Sequence, residues 1–208
     1  SQIEIVRDSV PPAVVIVAPN PSQAFGSSAV PFTVAVTDAS ATTLSIAGHL
    51  YDVPEGGGRI SAVVDLPAEG YNTVTVTASD CAANAGSAAI EVLLDFTAPV
   101  VTTDLVDGTR LGPIPGDQLP ITLHVDDISA TTVHLGGDDV ALERGGGVVQ
   151  SVVTLHEGQN VVVATVVDET GRTTSVTRTV TYDLTPPVGA FTTPAEGATY
   201  RQIGRAHV

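Results

Sequence analysis

Pro31 to Ala68 reads PFTVAVTDASATTLSIAGHLYDVPEGGGRISAVVDLPA, and Pro120 to Glu157 reads PITLHVDDISATTVHLGGDDVALERGGGVVQSVVTLHE. It is one stretch written twice. Ser-Ala-Thr-Thr recurs at Ser40–Thr43 and Ser129–Thr132, and a triple glycine recurs at Gly56–Gly58 and Gly145–Gly147. Outward from these landmarks the register slips by one residue at Glu69/Glu157. It then holds through Asn72/Asn160 and Asp80/Asp168 to Asp95/Asp183. A period of roughly 90 residues is too long for a solenoid unit and suits one β-sandwich domain. The duplication also ranks residues, because one present in a single copy is a poor candidate for whatever both copies do.

Within each copy the apolar residues alternate. Phe32, Val34 and Val36 alternate with Thr33, Ala35 and Thr37, and Val74, Val76 and Ala78 with Thr73, Thr75 and Thr77. The second copy repeats this with Ile121, Leu123 and Val125, then Val162, Ala164 and Val166. Period two means one buried and one solvated face. The spacing predicts strands over Ala13–Ala18, Phe32–Thr37, Thr43–Ala47, His49–Val53, Arg59–Leu66, Asn72–Ser79 and Ser87–Leu94. Gly, Pro, Asn or Asp fills each interval, as turns require. No segment shows a sustained helical period, and 43% hydrophobic residues argue against disorder. Seven short strands per repeat predict an all-β chain of two tandem immunoglobulin-like Greek-key β-sandwiches, with partial repeats at both ends.

The formal charge is −15 and the isoelectric point is near 4.3. All the basic residues are arginine. Such a surface repels phosphate backbones, so no nucleic-acid partner is expected. There is no run of 18 apolar residues, so no membrane insertion is expected within this sequence. Cys81 is the single cysteine and cannot form an intramolecular disulfide, so the sandwiches must stand on packing alone. The second copy has Glu169 in its place, and Cys81 reads as a solvent-facing turn residue.

Boundaries announce themselves through Asp8-Ser9-Val10-Pro11-Pro12, Asp95-Phe96-Thr97-Ala98-Pro99 and Asp183-Leu184-Thr185-Pro186-Pro187. Proline fixes its own φ and restricts the residue before it, which predicts short, stiff connectors. Residues 8–94 and 95–182 are thus read as the two complete repeats. Residues 1–7 are read as the last strand of a preceding repeat, and 183–202 as the start of a following one. The tail 203–208, Ile203-Gly204-Arg205-Ala206-His207-Val208, matches a translated sequencing-library adapter and is given no functional weight. The chain reads as a fragment of a longer array.

Both copies also carry Gly58…Val64-Asp65-Leu66…Glu69-Gly70-Tyr71-Asn72…Asp80 and its counterpart Gly147…Val153-Thr154-Leu155…Glu157-Gly158-Gln159-Asn160…Asp168. Together with the Asp-x-Thr-x-Pro junctions, this resembles bacterial Ig-like tandem repeats. It is most similar to the group related to domain B of glucodextranase. The resemblance covers nearly all of both repeats. It implies the sandwich fold and a place in adhesins, surface-layer proteins or multidomain glycosidases. The sequence departs from the pattern at Asp80-Cys81-Ala82-Ala83-Asn84, where a Gly-Asn turn is common, and at Gly171-Arg172.

The chemistry is sparse. There is no Gly-x-Ser-x-Gly elbow and no His-Glu-x-x-His, and His49, His124, His134 and His156 occupy unshared positions. His124 and His134 fall on strands of opposite sheets, which argues against a zinc pair. The triple glycines precede no helix, so they read as flexible hairpin tips and not as a phosphate cradle. Asn72 and Asn160 read as turn residues bonded to nearby backbone. Calcium would need six to eight oxygens. Asp95 and Asp183 at the junctions, Asp104 and Asp107 beyond, and Asp38, Asp126 and Asp127 after the second strand could contribute some of them. No EF-hand loop is present, however, and an acidic surface accounts for the same charges. No catalytic, cofactor-binding or metal residue is therefore assigned; Ca2+ at the repeat junctions is held as the weaker reading.

The sequence predicts a non-catalytic spacer or stalk segment of a secreted or cell-surface bacterial protein. Its partners would be neighbouring Ig-like repeats in the same chain, and the domain it presents would lie elsewhere. The alternative is an adhesive or carbohydrate-binding accessory module that takes a cell-surface glycan or protein ligand. Aromatic platforms favour sugars, but the four Phe and four Tyr form no repeated stripe.

Overall fold

The computed structural model describes residues 8–190 and 197–199. The strand assigned to residues 1–7, the adapter-like tail 203–208 and part of the segment 183–202 lie outside them.

The first repeat contains β1 (Ala13–Ala18), β2 (Ala24–Phe25), β3 (Ala29–Thr37), β4 (Thr42–Ile46), β5 (His49–Val53), β6 (Gly58–Asp65), β7 (Gly70–Asp80) and β8 (Ala85–Leu94). The second contains β9 (Val100–Thr103), β10 (Thr109–Leu111), β11 (Gln118–Asp126), β12 (Thr131–Leu135), β13 (Asp138–Leu142), β14 (Gly147–Thr154), β15 (Gly158–Asp168) and β16 (Thr173–Tyr182). One 3-10 turn, Pro115–Asp117, precedes β11. No helix among the described residues is long and apolar enough to cross a membrane.

Each repeat folds into two sheets with the same strand order. In the first, β1-β3-β6 faces β2-β8-β7-β4-β5; in the second, β9-β11-β14 faces β10-β16-β15-β12-β13. The connections β3–β4, β5–β6 and β6–β7 all cross between sheets, which gives the Greek-key sandwich. The fifth strand pairs with the fourth (Thr42↔Val53 through Ile46↔His49) and not with β6. The chain is thus two immunoglobulin-like sandwiches in tandem.

The alternation in the sequence maps directly onto the cores. Phe32, Val34, Val36, Val74, Val76 and Ala78 are buried in one cluster. Ile121, Leu123, Val125, Val162, Ala164 and Val166 are buried in the other. The alternating strand residues Thr73, Thr75 and Thr77 face solvent.

Two features went unread in the sequence. The first strand of each repeat is split. After β1 pairs with β3, Pro19 and Pro21 interrupt the ladder, and β2 then joins the opposite sheet parallel to β8. Proline cannot donate to a ladder, so the chain leaves one sheet there and enters the other. A two-residue strand has no periodicity to detect.

The triple glycines are the second. They are not flexible hairpin tips, because β5 and β6 lie in different sheets and the glycines make the crossing between them. The crossing runs tight against the third strand. A Cβ on Gly57 would sit 2.3 Å from the Val36 carbonyl oxygen, and one on Gly146 would sit 2.1 Å from that of Val125. Both glycines have left-handed φ, +99° and +75°. Backbone contact at both positions leaves no room for a side chain.

Candidate functional site

The duplicated Ser-Ala-Thr-Thr run lies directly after the third strand of each sandwich, and its first residue folds back on the aspartate two positions earlier. Ser129 gives its N–H (2.7 Å) and its hydroxyl (2.8 Å) to Asp127 Oδ1. Ser40 does the same for Asp38 Oδ1, at 2.8 and 2.7 Å. The triple glycine supports the same loop, since Gly145 N–H donates to the Asp127 carbonyl and Gly56 N–H to that of Asp38, both at 2.9 Å. The two landmarks that reveal the repeat therefore converge on one aspartate per sandwich.

Two further aspartates meet it. Asp168 ends β15, and its Oδ1 accepts the Thr170 N–H, the Thr170 hydroxyl and the Arg172 N–H at 2.7–2.9 Å. Asp95 follows β8 and belongs to the connector. Its N–H continues the first sandwich's ladder to the Phe25 carbonyl, and its Oδ1 accepts the Thr97 N–H. One carboxylate oxygen from each of Asp95, Asp127 and Asp168 lies within 4.8 Å of those of the other two. The three residues are 0%, 6% and 6% exposed. Oδ2 of each is buried without a hydrogen-bond partner. Burial among apolar neighbours, reinforced by the nearby Asp95 and Asp168 charges, pushes the Asp127 carboxyl above the usual aspartate range.

Asp8, Asp38 and Asp80 form the matching trio in the first sandwich, but its fourth partner differs. There the Asn84 amide donates to Asp80 Oδ2 at 2.7 Å, and this bond holds the Asp80 carboxyl below its usual range. The second copy has Arg172 at that position. Its guanidinium goes to the Asp95 carbonyl, the Thr170 hydroxyl and the Gly26 carbonyl, and leaves the carboxylates alone. Two unit charges about 4.8 Å apart repel by about 3–4 kcal/mol at an effective dielectric of about 20. Three such groups, buried and each with an unpartnered Oδ2, are an arrangement that a shared cation would stabilise.

Of the seven aspartates that the sequence offered as oxygen donors, the structure brings Asp95 and Asp127 together and Asp38 into the first trio. The other four are exposed. Asp104 accepts the Thr122 N–H, Asp107 the Thr179 N–H and Asp183 the Thr185 N–H. Asp168 and Asp80, in the sequence no more than the closing aspartates of the Glu-Gly-x-Asn pattern, complete the two trios. The signal that could have found them was their presence in both copies. Asn72 and Asn160 do bond backbone, to the Ala68 and Gly70 carbonyls and the His156 and Gly158 carbonyls respectively. His49, His124, His134 and His156 are exposed; His124 and His134 lie on opposite sheets, and His134 contacts Asp139. Cys81 is free and exposed.

The Glu of Glu-Gly-x-Asn acquires a role. Glu69 Oε1 accepts the Phe96 N–H (2.9 Å), the Thr97 N–H (3.1 Å) and the Thr97 hydroxyl (3.0 Å). Glu157 repeats this with Leu184 and Thr185. The motif and the Asp-x-Thr junction are thus two halves of one clamp. The Phe96 N–H is the largest influence holding the Glu69 carboxyl below its ordinary 4.5. A depressed acid stabilises the fold above its unfolded value and loses that contribution as pH falls through the folded one. Thermal melts of the intact chain from about pH 7 to about pH 3 should show the wild type losing the clamp below pH 4.5. Glu69→Gln keeps a neutral acceptor without the titrating charge and should lose less on acidification; parallel curves would contradict the clamp.

No family model and no curated protein matches the chain. Among solved structures, it is similar to the fibronectin(III)-like modules of CbhA from Clostridium thermocellum. The TM-score is 0.46 at 13% identity, covering 91% of this chain and 100% of that one. An I-band fragment of titin gives 0.49 at 12% identity, with 84% and 66% coverage. An ectodomain fragment of ICAM-5 gives 0.44 at 18% identity, with 82% and 54% coverage. The strand order itself establishes the architecture, two immunoglobulin-like sandwiches joined through a connector whose aspartate is buried against the second.

Proposed function

We propose that this chain is a non-catalytic spacer segment of a secreted or cell-surface bacterial protein, built from repeats like those related to domain B of glucodextranase. The observation that carries this reading is the set of hydrogen bonds across the junction. Arg144, on the turn before β14, reaches the Ser22 carbonyl of the first sandwich at 2.7 Å and Glu169 of its own at 2.8 Å. It also reaches the Tyr71 hydroxyl at 3.3 Å, and Arg172 reaches the Gly26 carbonyl at 3.1 Å. With the Glu69 clamp, these hold a short proline-containing connector from both sides, which suits a chain that must keep its units in fixed relation. Among the described residues the exposed aromatics are Phe96 and Tyr71, both at this junction. Arg144 bonds the Tyr71 hydroxyl, which gives this aromatic a part in the junction contacts.

Small-angle scattering on the two-sandwich chain should fit a single elongated particle. The double variant Arg144→Ala/Arg172→Ala should broaden the distribution of end-to-end distances without unfolding either sandwich. A wild type already as broad as the variant would remove the spacer reading. Specific retention on a glycan array or on whole cells would replace it with the adhesive one.

A further inference from the structure

We propose that Asp95, Asp127 and Asp168 bind one Ca2+ at the junction of the two sandwiches. The trio alone would be only an acidic cluster; what points to a ligand is the unpartnered, buried Oδ2 of all three residues. Each Oδ1 is already held by the N–H two positions on, which fixes the carboxylate plane and turns the second oxygen inward. The spacing fits, since two ligand oxygens on opposite sides of a Ca2+ at about 2.4 Å are about 4.8 Å apart, the separation within which one carboxylate oxygen of each residue lies. Arg172, the cationic side chain beside the trio among the described residues, spends its donors on carbonyls and the Thr170 hydroxyl, one of those carbonyls being that of Asp95 itself.

Ligand chemistry selects the ion. The donors are carboxylates, with no histidine or cysteine in the group, which favours a hard cation over zinc or copper. Magnesium dehydrates reluctantly and keeps several of its waters, so three buried carboxylates suit calcium better. In the first sandwich the Asn84 amide already occupies Asp80 Oδ2, so the same three aspartates are not left with the same need. The inference does not depend on the spacer reading. Its consequence for the junction is that Asp95, anchored to the first sandwich through Phe25, would share an ion with two residues of the second.

The test is calorimetry on the intact chain in about 0.15 M salt, where screening acts over only about 8 Å. Melts with excess chelator, with about 1 mM CaCl2 and with about 1 mM MgCl2 are compared, alongside a direct calcium titration. Calcium should raise the melting temperature of the second sandwich, magnesium should not, and Asp127→Asn should weaken calcium binding by at least about tenfold. Asp38→Asn, in the first sandwich, should leave that response intact. No calcium shift, or an equal one with magnesium, would overturn the site and leave general screening of an acidic surface. Loss of the response in Asp38→Asn as well as Asp127→Asn would overturn its location. Should Asp127→Asn fail to fold, the wild-type comparison of calcium with magnesium still decides.

Discussion

Gly146→Ala is expected to lower the melting temperature of the second sandwich by on the order of 10–40 °C, while Gly145→Ala one residue earlier costs less. Both glycines have left-handed φ, so alanine at either is strained by about 1–2 kcal/mol. The difference is what a Cβ meets. At Gly145 nothing lies within 4 Å, whereas at Gly146 the Val125 carbonyl oxygen is 2.1 Å away and the Asp126 Cα 2.9 Å. Backbone cannot rotate aside like a side chain, so β11 or the crossing must move. Displacement of that kind in a packed interior costs about 1–3 kcal/mol more. The total of about 2–5 kcal/mol converts at about 4–8 °C per kcal/mol for a domain this small. Differential scanning calorimetry of the two variants is the measurement. Equal losses would mean the crossing is as loose as a hairpin tip.

Phe32→Ala should remove about 3–5 kcal/mol from the first sandwich and leave the second in place. Phe32 is 1% exposed, and its cluster shares no residue with the one built around Leu123 and Val166. With no disulfide in either sandwich, nothing compensates for the cavity. Hydrogen exchange resolved along the chain should show β3, β7 and β8 losing protection while β11, β15 and β16 keep theirs. The complementary Leu123→Ala, expected to cost about 2–5 kcal/mol, should reverse the pattern. If either variant lowered protection equally in both repeats, the junction contacts of Arg144, Arg172 and Glu69 would be coupling the sandwiches into one cooperative unit.

The fold was legible because its information is local. Period-two alternation at Phe32–Val36 and Val162–Val166 assigns faces without any knowledge of partners, and duplication confirms each assignment. The split first strand escaped because Ala24–Phe25 is defined by its parallel neighbour and by no pattern of its own. The glycine crossing was misread for a related reason. Gly-Gly-Gly between two strands looks alike whether they are hairpin partners or belong to opposite sheets.

What the sequence by itself determined is the architecture: two repeats, their junctions, their buried faces, and the absence of shared histidines or cysteines. What only the tertiary structure decided is which acidic residues matter. Asp95, Asp127 and Asp168 are separated by dozens of positions; recurrence in both copies sets them apart from Asp104 and Asp107, but nothing local shows that they meet. Charge on a residue is a property of sequence, but desolvation and convergence belong to the fold. They arise only when the end of one sandwich, the loop after β11 and the end of β15 close around the same few ångströms.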